Sequence, residues 1–153
     1  MKHEGMVHAL EKIQRLLRPG GSLIDIHPVP QAWLIKVYQG SRVLFAEPWR
    51  DHDDYDEDLR QAEDALADIV RRRLFAIERS GEFDFLTYGS SVAELRDYMA
   101  KANAYDDRPK DEAVAAREAE LAARVEEIMQ AAGEGVEVTH HERARIARLK
   151  PVR

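Results

Sequence analysis

Asp25 and His27 stand two residues apart in the run Leu23-Ile24-Asp25-Ile26-His27. In an extended strand such residues share a face. A carboxylate would orient the ring there, and the imidazole would exchange a proton near neutral pH. No nucleophile motif accompanies the pair. The plainer reading is an aspartate capping a loop beside a histidine packed by Pro28. A second cluster, Asp51-His52-Asp53-Asp54-Tyr55-Asp56-Glu57-Asp58, offers oxygens to a hard cation. It lacks the glycine and terminal glutamate spacing of a calcium loop, and acids ahead of a helix stabilise its N-terminus through the dipole. His140 and His141 are adjacent in an expected strand, so they point to opposite faces and cannot share one metal. They read as surface residues, and no metal site is expected. Trp33, Tyr38, Phe45 and Trp49 form an aromatic-rich region. It would serve as a substrate wall, a subunit interface or ordinary core. His27, Trp33 and Tyr38 are therefore the substrate-side candidates, and Asp25 with His27 the catalytic ones. No Ser-His-Asp order, phosphate loop or zinc-binding helix motif is present.

The chain that must position these residues has 153 of them, 44% hydrophobic and 34% charged. That is enough for one domain over 1–153 with a real core, and too rich in apolar residues for a disordered chain. With no cysteine there are no disulfides, thiolate metal sites or cysteine nucleophiles. The formal net charge of −6 argues against general nucleic-acid binding. No apolar run is long enough to cross a bilayer, and no secretory leader opens the sequence. A cytoplasmic protein is expected. Acid is concentrated in residues 51–112, with 18 acidic against 9 basic side chains.

Periodicity places a helix over residues 4–17, with Met6, Leu10, Ile13 and Leu17 on one face. Pro19-Gly20-Gly21 stops it. Leu23–Ile26 follows as a nearly continuous apolar strand of the kind covered on both faces. A hairpin is expected from 33–38 and 42–47 around Gln39-Gly40-Ser41. A long helix over 54–79 carries Leu59, Leu66, Leu74 and Ile77, with Gly81 as its break. Residues 83–88 read as a strand. Ser90 or Ser91 caps a helix over 92–104, with Glu94 completing a capping box. A joint is expected at residues 106–109, a helix over 110–132 ended by Gly133, and a strand from Val136 toward Ile146 or Leu149. Residues 150–153 are expected to fray.

The segment Ala9-Leu10-Glu11-Lys12-Ile13-Gln14-Arg15-Leu16-Leu17-Arg18-Pro19-Gly20-Gly21-Ser22-Leu23-Ile24 resembles one in class I S-adenosylmethionine-dependent methyltransferases, where a helix and Pro-Gly-Gly precede the fifth strand of a Rossmann-like sheet. The resemblance implies that residues 83–88 and 136–146 are that fold's antiparallel sixth and seventh strands. It implies an α/β chain, a truncated methyltransferase-like sheet of about three family strands plus an inserted β-hairpin, flanked by helices. The family's cofactor half has no counterpart. No G-x-G turn follows a strand, since Gly133-Glu134-Gly135 follows a helix, and only 18 residues precede Pro19. The expectation is a C-terminal half-domain with no S-adenosylmethionine site of its own, acting without catalysis by association. Its partner would be a second copy in a homodimer, or a separately encoded N-terminal half that restores S-adenosylmethionine binding and methyl transfer. An unrelated small-ligand-binding domain with its pocket at His27 is the other alternative.

Overall fold

A computed structural model describes residues 3–49, 53–102 and 111–152, with the backbone alone at 53–56. The expected joint at 106–109 lies outside the described residues. So do Asp51 and His52 and the side chains of Asp53–Asp56, which hold most of the acidic cluster. The protein is mixed α/β, and the described residues form four helices and five strands in an antiparallel sheet. The elements are α1 (His3–Leu16), β1 (Leu23–Pro28), β2 (Leu34–Gln39), β3 (Arg42–Pro48), α2 (Asp53–Arg71), β4 (Phe75–Gly89), α3 (Val92–Ala102), α4 (Glu112–Ala132) and β5 (Val136–Pro151). Among the described residues, no helix is long and apolar enough to cross a membrane.

The chain forms two compact units, and β4 and β5 contribute to each. Unit 1 comprises residues 1–31, 52–84 and 143–153. Here α1 and α2 bury Val7, Ala65 and Ile69 against Phe75, Ala147 and Leu149 of the strands. Removing such side chains from water supplies the stabilisation. The Pro-Gly-Gly stop works through both glycines. Gly20 takes a φ of 79°, open to glycine at little cost, and a Cβ on Gly21 would stand 2.9 Å from the Arg18 carbonyl. β1 then pairs antiparallel with β5, from Leu23 opposite Leu149 to Pro28 opposite Ala144.

Unit 2 comprises residues 32–51 and 85–142. β2 and β3 form the expected hairpin, with Gly40 at φ 57° in its turn, and β2 also pairs with the first half of β5. Ile35, Val37, Val92, Leu95, Val125 and Val138 are its core. The expected capping box closes α3: Ser91 Oγ accepts from the Glu94 amide at 3.1 Å, and the Glu94 carboxylate accepts from the Ser90 amide at 2.7 Å. On α4, Arg124 reaches out of its helix to pair with Glu47 and to lie 5.1 Å over the Phe45 ring.

Four expectations are corrected. The helix expected over 54–79 ends at Arg71, and β4 begins at Phe75, so Leu74 and Ile77 are not helical. The stop is a Schellman arrangement: Arg73 adopts φ 56°, its amide donates to the Val70 carbonyl, and Leu74 donates to Ile69. Gly81 lies within β4. β1 is not covered on both faces; Ile24 and Ile26 are 52% and 60% exposed. Residues 150–152 do not fray, because β5 runs to Pro151 and the Val152 amide donates to the Leu74 carbonyl at 3.0 Å. His140 is not at the surface: it is 2% exposed, with Trp33 edge-on at a ring separation of 4.7 Å.

Candidate functional site

Strand alternation puts Asp25 and His27 on the face of β1 that α2 covers, and Ile24 and Ile26 on the other. The His27 ring donates from Nδ1 to Asp25 Oδ2 at 2.7 Å. A carboxylate only accepts, so this bond fixes which nitrogen carries the proton in the neutral ring. His27 Nε2 is buried without a hydrogen-bond partner and faces Glu63 Oε1 of α2 at 3.7 Å. Arg145 of β5 binds Glu63 Oε1 at 2.6 Å and Glu82 Oε1 of β4 at 3.0 Å. Arg143 completes the row with a 2.8 Å bond to Glu82 Oε2.

The Asp25 hydrogen bond raises the His27 pKa above its ordinary value. Burial opposes it, and the charges of Asp25 and Glu63 reinforce it. The Glu82 pKa is lowered, by the Arg143 hydrogen bond first and that of Arg145 second.

Asp25, His27, Glu63, Glu82 and Arg145 line one end of a cavity of about 750 Å³ in unit 1. Its walls are apolar, formed by Leu66 and Val70 from α2, Ile77 from β4 and Leu149 from β5. The volume and the mix of an apolar wall with a few polar groups match ordinary small-molecule sites.

The expected Asp25–His27 pair is thus assembled as an oriented pair. Trp33 and Tyr38, the other substrate-side candidates, belong to unit 2, where Trp33 is core and Tyr38 is half-buried in β2. Trp49 is likewise core, and Phe45 is partly buried against the same cluster. Glu63, Glu82 and Arg145 were not singled out from the sequence. They stand 36, 55 and 118 residues beyond His27, and only strand pairing and helix docking bring them to it. Among the described residues, no group of three or more His, Asp or Glu side chains is placed to hold a metal ion. Comparison with protein-family models, curated proteins and solved structures finds no match to this chain.

Proposed function

We propose that the protein works by association, as a cytoplasmic module whose β1 edge is covered by a second copy of itself. One observation carries this reading. Among the described strands β1 pairs with β5 alone, and Ile24 and Ile26 stand outward beside Ile146, which is 39% exposed and opposite Ile26. An open edge with apolar side chains is an aggregation hazard unless it is covered, and β1 carries none of the lysines or bulges that blunt such edges. A second copy covers it under two-fold symmetry, the commonest closed solution. Light scattering of the chain should report twice the monomer mass. A monomer at tens of micromolar overturns the reading.

The second reading is a methyltransferase-like half-domain completed by a separate chain that brings S-adenosylmethionine. It is favoured by a helix, Pro-Gly-Gly and β1 in succession, with an antiparallel β5 beside β1 and β4 also paired to β5. That order suits the fifth, seventh and sixth strands of the fold the sequence resembles. The isolated chain is then expected to bind no S-adenosylmethionine at millimolar concentration, whereas micromolar binding in calorimetry would place the cofactor site on this chain.

A further inference from the structure

The geometry points to a ligand for the cavity under α2: we propose that it binds a small molecule with a protonated amine at one end of an apolar body. The amine rests on Asp25 and Glu63. Each of these carboxylates has one oxygen engaged, Asp25 Oδ2 by His27 and Glu63 Oε1 by Arg145. Asp25 Oδ1 and Glu63 Oε2 accept no hydrogen bond from any described residue. Carboxylate oxygens only accept, so the complementary group is a donor, and an ammonium supplies three donors with a charge.

The charges around the cavity agree. Asp25, Glu63 and Glu82 face it from β1, α2 and β4, against Arg145 from β5 and Arg71 at the rim. Arg71 is spent on Asp68, which it shares with Arg72. With His27 neutral, three carboxylates stand against Arg145 and against Arg143, which pairs with Glu82, so the polar end holds more negative charge than positive. An anionic ligand would need Arg145, whose two terminal nitrogens already bind Glu63 and Glu82. A metal ion would need three converging ligands, which the described residues do not put in place. The apolar walls are left for the body of the molecule.

The same two carboxylates face the charge of protonated His27, Asp25 at Nδ1 and Glu63 3.7 Å from Nε2, where the titrating proton sits. Amine and proton therefore compete for them, and binding strengthens as pH rises and His27 discharges. The full chain should be titrated with phenethylamine, phenethyl alcohol and hydrocinnamate, which share one apolar body and differ in the head group, while the His27 ring is followed by NMR. Phenethylamine is expected to bind with a Kd below about 1 mM, a reasonable strength for so small a ligand. The alcohol and the carboxylate should bind at least about tenfold more weakly, and the amine's affinity should rise several-fold from about pH 6 to about pH 8 as histidine discharges. Glu63→Gln should cost the amine about tenfold and leave the alcohol nearly unchanged. Equal binding of the three ligands, preference for hydrocinnamate, or no shift of the His27 ring at millimolar phenethylamine overturns the proposal. If Glu63→Gln does not fold, the ligand series on the unaltered chain still decides.

Discussion

His27 faces Asp25 on its own strand and Glu63 of α2 beside it, and both favour its charged form. Because its pKa is raised on folding, the protonated ring stabilises the fold, fully so below the ordinary histidine value of about 6.5. That contribution is lost as pH rises through the folded-state pKa. Replacing His27 by Gln should therefore cost more stability at about pH 5.5 than at about pH 8.5, a window that brackets ordinary histidine titration. Denaturant unfolding of both proteins across that range measures the gap, and a gap that widens with pH contradicts the assignment. The Asp25–His27 half of this arrangement was legible because two residues on one strand share a face whatever the strand packs against. The other half was not. Glu63 sits on a helix where a solvated acid is the default expectation, and Arg145 sits in a strand rich in arginines, so neither type nor spacing marks them.

At the scale of elements, most boundaries follow from local chemistry. Pro19-Gly20-Gly21, the Gly40 turn, the Ser91–Glu94 cap and Gly133 all act where the sequence places them. The α2–β4 junction does not, for a specific reason. Leu66, Val70, Leu74 and Ile77 continue the helical spacing, yet the chain turns at Arg73, a residue type that seldom takes positive φ. Leu74 folds back to bond Ile69 and joins the unit 1 core, and Phe75 is buried as the first residue of β4. Burial of two large side chains there outweighs the cost of one left-handed arginine. It follows that Arg73→Gly should stabilise the protein, by roughly 1 kcal/mol, the usual cost of a side chain in that conformation. Ser91→Ala should do the reverse at α3 by about 1 kcal/mol, the typical worth of such a cap. Thermal unfolding of the two variants should move the midpoint in opposite directions.

For the whole molecule, the instructive mismatch is β1. Its near-continuous apolar run reads as a strand covered on both faces, and in the single chain one face is bare. The proposed second copy accounts for both, since the face is then exposed only in the protomer. Ile24→Lys tests this cleanly. Ile24 is half-exposed, so lysine should alter protomer stability by no more than about 0.5 kcal/mol, as at an ordinary surface position. The same change should halve the mass measured by light scattering. A variant that stays dimeric would place the contact elsewhere, and one that unfolds would show that the side chain is core.

β5 is the strand that β1, β2 and β4 all pair with, and it is made after every one of them. Leu23 meets Leu149 only after 126 further residues have been synthesised. At ordinary translation rates of roughly 5–20 residues per second, that leaves β1 without its strand partner for about 6–25 s. Through that interval Ile24 and Ile26 sit on a nascent strand with both edges open. The helices of unit 1 lack Ala147 and Leu149 of their shared core until β5 leaves the ribosome. Ribosome-stalled chains ending before Val136 should therefore be digested quickly by protease and bind holding chaperones. Chains stalled far enough beyond β5 for that strand to clear the exit tunnel should resist, and resistance of the shorter chains would mean that the helices and β1 fold without it.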